Sequence, residues 1–158
     1  MKKRFLFILV IASLLICLLP ISAFAVQQDD IIILYENDVH CEIEGYSVLS
    51  AMRNELEQEY EHVGIVTSGD FLQGGSLGSI SKGDYIVRLM NLVGYDAIAL
   101  GNHEFDYGLD RLLELADALD TKPVCANFKK IGESPCFEPY SIVSYGDIEI
   151  AYLSLIKG

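Results

Sequence analysis

IIILYENDVH, residues 31–40 of the 158-residue chain, joins an apolar run directly to a polar one. Residues 31–35 are apolar or aromatic and begin with three isoleucines, a composition typical of a strand buried on both faces of a sheet. The polar residues Glu36, Asn37 and Asp38 then end the run. The stretch therefore predicts a buried strand whose carboxyl end leads into a polar loop.

Further apolar runs predict a sheet rather than a single strand. The strands predicted after the first cover residues 63–67, 97–100, 124–127, 140–144 and 148–155. The last two are expected to form a hairpin that turns at Gly146-Asp147. The second strand stops at Ser68-Gly69-Asp70 and the third at Gly101-Asn102-His103. A polar cluster therefore follows each of the first three strands.

Amphipathic helices are predicted between these strands. Apolar residues recur at helical spacing over residues 47–60, 84–93 and 109–119. Ser47 and Asp84 are candidate N-caps for the first two helices, and the Gly-rich segment before Asp84 is predicted to be a loop. His62 is expected at the end of the first helix, as a solvated or capping residue.

The alternation of strands and helices predicts an α/β fold with a largely parallel sheet and helices outside it. Ligands bind beyond the carboxyl ends of the strands in such sheets. The three polar clusters are therefore expected to converge on one site.

The chain is strongly acidic, with a formal net charge of −12. The part after residue 25 is more acidic still, because three of the basic residues lie at the N-terminus. This charge argues against binding a nucleic-acid polymer or an anionic membrane through a basic patch. An acidic protein that handles phosphate needs cations to offset the repulsion, so the charge is consistent with a metal site.

The first 25 residues have the pattern of a secretory signal peptide. Three basic residues precede a nearly unbroken apolar run over residues 5–19, and Ala23-Phe24-Ala25 supplies small residues at the −3 and −1 positions of a cleavage site. An uncleaved anchor is the alternative, but the run is short for a span that needs about 20 apolar residues. We predict a signal peptide at residues 1–25, an extracellular, cell-wall-associated or periplasmic product, and no stable membrane insertion after cleavage.

Three cysteines follow the predicted signal peptide: Cys41, Cys125 and Cys136. Export permits disulfides, and the last two flank a short turn-rich stretch. A bridge between Cys125 and Cys136 is one possibility, and three unpaired core residues are the other.

Asp38 and His40 are candidate metal ligands. In an extended chain residues i and i+2 point the same way, which aims this carboxylate and imidazole at one point, as Zn²⁺ or Mn²⁺ would require. A loop hydrogen-bond pair is the alternative. Asp70 follows a glycine that permits a sharp turn, and its two oxygens are suited to bridging two ions. A helix cap or turn residue is the alternative there.

GNHEFD, residues 101–106, is the most informative polar segment. Asn102 offers a carbonyl oxygen as a ligand, and the adjacent His103 faces away from it, towards a phosphoryl oxygen or a leaving group. Asp106 is spaced to hold the His103 ring and to favour the imidazolium. Glu104 is expected to make structural hydrogen bonds in the loop. A helix N-terminus capped by Asp106 is a compatible alternative.

Four segments of the chain resemble successive motifs of the secreted 5′-nucleotidase family, which includes UDP-sugar hydrolases and 2′,3′-cyclic-nucleotide phosphodiesterases. They are residues 37–40, 69–74, 101–108 and 126–128. The third segment is highly specific, whereas the first two are shared with calcineurin-like phosphoesterases generally. The resemblance covers nearly all of residues 26–158, in order.

The resemblance implies a partial metallophosphoesterase β-sandwich flanked by helices and truncated before the second half of the domain. It implies two divalent ions, such as Zn²⁺ or Mn²⁺, and a nucleotide or other phosphate ester as substrate. By the same resemblance Asp38 and His40 bind one ion, Asp70 bridges both, and Asn102 binds the second.

The resemblance also implies that His103, supported by Asp106, stabilises the transition state. Two departures accompany it. The family generally has Gly at the position of Cys41, so the turn there is expected to differ. The family also supplies three further metal ligands, mostly histidines, and a nucleoside-binding domain from later in its chain, and these have no counterpart here.

Three functions remain open at this point. The first is metal-dependent hydrolysis of 5′-nucleotides or related phosphate esters. The second is a non-catalytic fragment of such an enzyme that binds at most one metal weakly. The third is a related hydrolase of another substrate class, such as a thiosulfate-cycle enzyme. The sequence does not indicate an oligomeric state.

Overall fold

The computed structural model describes residues 28–132 and 134–156. The predicted signal peptide and its cleavage site lie outside the described residues. None of the helices within these two ranges has the length and apolar character that a membrane crossing requires.

A three-stranded parallel sheet lies at the centre of the described chain. In spatial order it contains β1 (Gln28–Glu36), β2 (Tyr60–Thr67) and β3 (Ala97–Ile98). Glu36 lies opposite Thr67, and Thr67 lies opposite Ile98, so the three strands end at the same level. The predicted parallel sheet is confirmed, and the loops that follow its strands meet at one edge.

The prediction of a fourth strand over residues 124–127 is wrong. Val124 forms only isolated bridges, to Ala99 and to Glu138. The backbone amides of Cys125 and Ala126 then donate to two different segments of the chain, so no continuous ladder develops.

The predicted hairpin is confirmed as β4 (Tyr140–Tyr145) and β5 (Ile148–Leu153), which pair antiparallel around Gly146-Asp147. Its position follows from two neighbouring residues of β2, Gly64 and Ile65, whose side-chain directions are opposite. Ile65 is in the core that the helices cover, whereas a side chain at Gly64 would clash with the Tyr145 hydroxyl. The hairpin therefore lies on the face of the sheet opposite to the helices.

The helices of the described residues lie between the parallel strands and after them. They are α1 (Ile43–Leu56), α2 (Ser76–Ser81), α3 (Asp84–Val93), the 3₁₀ helix His103–Phe105 and α4 (Leu109–Ala118). The helices predicted over residues 84–93 and 109–119 are confirmed. α2 is absent from the predicted elements, because its Gly- and Ser-rich sequence is typical of a loop.

α1 differs from the helix predicted over residues 47–60. It begins earlier, at Ile43, because the buried Tyr46 anchors its first turn in the core. Ser47 is therefore not the N-cap. His62 lies within β2 rather than at the end of a helix.

Two aspartates do not cap the helices that follow them. Gly83 precedes α3, and Asp84 is its first helical residue, without a side-chain cap bond. Gly108, not Asp106, is the residue that precedes α4. Asp106 instead ends the 3₁₀ helix, and its side chain bonds to His103.

The core lies between the sheet and the helices. Its apolar side chains with less than 2% exposure are Phe71, Ile65, Leu72, Ile86, Met90, Ile98, Leu112, Leu115 and Cys125. Cys41, Cys125 and Cys136 are all unpaired, so the proposed Cys125–Cys136 bridge is wrong and the alternative of three free thiols holds.

Cys41 and Gly78 form a close contact that places α2 against the loop after β1. The buried Cys41 thiol donates to the Phe71 carbonyl oxygen at 3.2 Å. A Cβ at Gly78 would overlap the Cys41 sulfur and lie 2.9 Å from its Cβ. The thiol therefore occupies the space that a side chain on α2 would need.

Gly78→Ala is expected to lower the free energy of unfolding by roughly 1–3 kcal/mol, the usual cost of overpacking. The substitution would otherwise favour the helix by about 1 kcal/mol. Urea unfolding followed by circular dichroism measures the change. Gly45→Ala is the matched control, because Gly45 lies in α1 with nothing within 4 Å of the added Cβ.

The double variant Cys41→Gly/Gly78→Ala tests the same contact in reverse. Removal of the thiol frees the space, and glycine suits the left-handed backbone of residue 41, whose φ is 62°. The double variant should recover most of the stability that Gly78→Ala loses. If the double variant instead loses as much free energy of unfolding as Cys41→Gly and Gly78→Ala lose together, this account is contradicted.

Candidate active site

The loops that follow β1 and β2 run side by side at the carboxyl edge of the sheet. The amide of Asp38 donates to the Gly69 carbonyl at 3.1 Å, and the amide of His40 donates to the Asp70 carbonyl at 2.9 Å. Backbone hydrogen bonds therefore place two of the predicted ligand-bearing segments in contact.

The side chains of Asp38 and His40 meet directly, with 3.0 Å between Asp38 Oδ1 and His40 Nε2. Their backbones have φ values of 62° and 44°, so a left-handed turn rather than an extended segment brings them together. About 3 Å is also the distance between two neighbouring donor atoms that bind the same ion, each at 2.0–2.2 Å. The pair therefore fits a shared cation, which would take the place of the proton between them.

The other ring nitrogen of His40 fixes the orientation of the imidazole. His40 Nδ1 lies 2.9 Å from the Gln73 carbonyl oxygen, which can only accept, so Nδ1 carries the proton. That hydrogen bond, together with the Asp38 carboxylate, raises the pKa of His40. Metal-binding histidines usually donate their second N–H to a carbonyl or carboxylate in this way.

Asp70 joins the loop after β2 to the loop after β3. Its Oδ1 accepts a hydrogen bond from the backbone amide of His103 at 2.9 Å. A side chain at Gly101 would overlap this carboxylate, so the approach of the two loops requires glycine there. Asp70 is half-buried and has a φ of 60°.

His103 is held beside His40 by Asp106. Its Nδ1 lies 2.7 Å from Asp106 Oδ2, and its ring centroid lies 4.8 Å from that of His40 in an edge-on arrangement. Asp106, with a smaller contribution from Asp70, raises the pKa of His103. Because Asp106 occupies Nδ1, the Nε2 position is the one left for a substrate.

Asn102 is exposed and immediately precedes the 3₁₀ helix. Within residues 28–132 and 134–156, its side chain has no hydrogen bond to the other predicted site residues. Over the same part of the chain, no group of three or more His, Cys, Asp or Glu side chains is arranged to hold a metal ion. Asp38 and His40 thus form a pair of donors rather than a complete cage.

Left-handed backbone conformations concentrate in these loops. Among the non-glycine residues that the structure describes, φ is positive at Asp38, His40, Cys41, Asp70 and Lys82, and four of these five lie in the loops after β1 and β2. Such conformations are unfavourable by up to about 1–3 kcal/mol each and persist where surrounding contacts enforce them. They are enriched at functional sites for that reason.

Three contributions to this region are not found by sequence reasoning. They are the Gln73 carbonyl that orients His40, the bond from the Cys41 thiol to the Phe71 carbonyl, and the bonds of Asn127, which join it to Ile156 rather than to the other candidate site residues. The Cys41 sulfur is buried in the core and donates to the Phe71 carbonyl oxygen, so it is not placed as a ligand. Burial raises the pKa of this thiol to about 11. Asn127 exchanges two hydrogen bonds, at 2.6 and 2.9 Å, with the backbone of Ile156. No side-chain pattern signals these roles, because each depends on the course of a distant backbone.

Comparison with known proteins places this geometry in a family. The family model described as calcineurin-like phosphoesterase matches residues 32–157. The 5′-nucleotidase of Bos taurus is 31% identical over 146 residues, which cover 78% of this chain and 25% of that protein. The chain spans about a quarter of the length of the curated relatives it matches.

Two solved structures share the fold. The 5′-nucleotidase precursor of Thermus thermophilus has a TM-score of 0.73 at 24% identity, over 80% of this chain and 28% of its own. The NAD nucleotidase of Haemophilus influenzae has a TM-score of 0.68 at 27% identity, over 80% of this chain and 26% of its own. The mixed α/β fold is thus that of metallophosphoesterases, and since the family model matches nearly all of the described residues, the chain belongs to the calcineurin-like phosphoesterase family.

Proposed function

We propose that this protein is the N-terminal portion of an exported enzyme that hydrolyses phosphate esters, most specifically 5′-nucleotides, with two divalent ions. The observation that carries the proposal is the contact between the Asp38–His40 pair and the His103–Asp106 pair at one sheet edge. Family membership supports phosphoester hydrolysis, and relatives named 5′-nucleotidase support the substrate class.

In this proposal the chain supplies part of a dinuclear centre. Asp38 and His40 would hold one ion through Oδ1 and Nε2, Asp70 would contact both ions, and the Asn102 carbonyl oxygen would hold the second. When bound, such ions neutralise phosphate charge and activate water for attack. Support for this division of roles comes from the donor spacing at Asp38 and His40.

His103 would act on the substrate itself. With Nδ1 bonded to Asp106, its Nε2–H is free to donate to a phosphoryl oxygen or to the leaving oxygen as negative charge develops there. The raised pKa favours the imidazolium form that donates. Asp106 keeps the ring in one orientation and so limits the reorganisation that the reaction needs.

A second candidate concerns these 158 residues taken alone. The chain spans about a quarter of its curated relatives, and the described residues contain a pair of donors without a third. We therefore propose that this chain by itself binds at most one divalent ion weakly and turns over little substrate.

Calorimetry with Mn²⁺ and with Zn²⁺ is expected to find at most one weak site in the 158-residue chain. Asp38→Asn and His40→Gln should each weaken it at least about tenfold. Glu59→Gln is the control, because Glu59 is an exposed carboxylate outside the candidate site. Two tight sites per chain would contradict the weak-fragment proposal.

Hydrolysis of AMP and of nitrophenyl phosphate gives an independent measurement. We expect little or no turnover by the 158-residue chain with either ion. Robust turnover that Asp70→Ala or His103→Ala abolishes would contradict the inactive-fragment proposal and favour a competent enzyme.

Asp106→Asn is expected to lower the pKa of His103, because the carboxylate that stabilises the imidazolium is removed. Because the pKa of His103 is higher in the folded state than in the unfolded state, its protonation stabilises the fold. This stabilisation is fully present at pH values below the unfolded-state pKa and is lost as the pH rises through the folded-state pKa. NMR titration of the metal-free chain measures the shift, and the chain has only three histidines to assign. His62→Gln identifies one resonance, and an unchanged His103 pKa in Asp106→Asn would refute the pairing.

A further inference from the structure

Glu104 is a buried carboxylate that no cation neutralises among the described residues. It is 1% exposed and takes part in none of their ion pairs. A buried charge without a partner is strongly unfavourable unless hydrogen bonds compensate for it. The contacts of Glu104 therefore identify what it does.

Four backbone amides, drawn from two loops, donate to Glu104. Oε2 accepts from Gly101 at 2.7 Å and from Asp70 at 2.8 Å. Oε1 accepts from Phe71 at 2.7 Å and from Leu72 at 3.1 Å. One carboxylate thus joins the loop after β3 to the loop after β2.

The contact between these loops is reciprocal. The Glu104 side chain accepts from the Asp70 amide, and the Asp70 side chain accepts from the amide of His103, which adjoins Glu104. The two bonds restrain the backbone and the carboxylate of Asp70 from opposite sides. Asp70 needs such restraint because its left-handed φ of 60° is unfavourable for a side-chain-bearing residue.

The amides at Phe71 and Leu72 connect this arrangement to the core. Both side chains are at most 1% exposed, so core packing fixes this part of the loop after β2. Glu104 bonds to these two amides with one oxygen and to Asp70 and Gly101 with the other. It therefore ties a half-buried carboxylate at the candidate active site to a rigid part of the fold.

We propose that Glu104 is a positioning residue that holds the Asp70 carboxylate in place for divalent-ion binding. This inference rests on the proposed function, in which Asp70 contacts the ions. Glu104 itself touches neither ion nor substrate, since all its bonds are to backbone amides. Its effect reaches the site through Asp70 and Gly101.

Glu104→Gln tests the proposal with little change in side-chain volume. The amide keeps one acceptor oxygen and turns an NH₂ group towards amides that need an acceptor, so one pair of amides, either Gly101 with Asp70 or Phe71 with Leu72, loses its partner. Ile86→Val is the matched control, because it weakens a fully buried core position on a different element, α3. Both variants are compared with the wild-type chain at equal temperature below their unfolding transitions.

Amide hydrogen exchange in the metal-free chain separates positioning from loop anchoring. The His103 amide bonds to the Asp70 carboxylate and not to Glu104, so it reports directly on Asp70 and responds to Glu104 only through Asp70. In Glu104→Gln we expect its exchange to accelerate roughly three- to tenfold, equivalent to the loss of one hydrogen bond. The Phe105 amide bonds to the Asn102 carbonyl, and its exchange rate in Glu104→Gln should not rise in this way. In Ile86→Val, no selective acceleration of the His103 amide is expected.

Zn²⁺ affinity, measured by calorimetry, is the second readout. Glu104→Gln should raise the dissociation constant about 10–100-fold, the usual effect of removing a group that supports a metal ligand. Ile86→Val should leave it within about twofold. Equal weakening in the two variants would overturn the proposal, as would an unchanged His103 amide in Glu104→Gln. If the wild-type chain binds no Zn²⁺, the metal-binding part of the proposed function fails, and the His103 amide alone decides the positioning claim.

Discussion

The register between β1 and β2 is the constraint on which the rest of the structure depends. Glu36 is opposite Thr67, and the two strands run parallel, so their final residues lie level at one edge. The loops beyond them bond backbone to backbone, and this brings Asp38 and His40 beside Asp70. A shift by one residue would turn every side chain of the shifted strand to the other face of the sheet and separate these groups.

The same edge also contains most of the local conformational cost that the described chain carries. Left-handed residues and a buried carboxylate without an ion-pair partner are both unfavourable unless several contacts stabilise them. Here each unfavourable feature enforces another: Glu104 holds Asp70, and Asp70 holds the backbone at His103. A fold that needed only a stable core would have no reason to collect these features in one place.

Hydrophobic pattern predicts the parts of the fold that depend on local sequence. The apolar run at residues 31–35 and the periodic segment at residues 109–119 are found where expected, because burial follows their spacing. The start of α1 and the whole of α2 are missed, because they depend on tertiary packing at Tyr46 and Gly78.

In the candidate site, too, some features follow from local sequence and others depend on tertiary structure. Motif and spacing select Asp38, His40 and His103, and the fold brings these side chains together. The partner of the His40 ring and the four partners of the Glu104 carboxylate are backbone groups. Their positions depend on the path of whole loops, which side-chain identity does not encode.

The groups that meet at this edge are far apart along the chain. His40 and Gln73 are separated by 33 positions, and so are Asp70 and His103. Each contact closes one helical crossover between parallel strands. Such closures cost more chain entropy than local helices do, and they form more slowly. Chemistry at this edge therefore requires that two crossover units have both been completed, and a cation held there would select the fully assembled topology over any partly folded one.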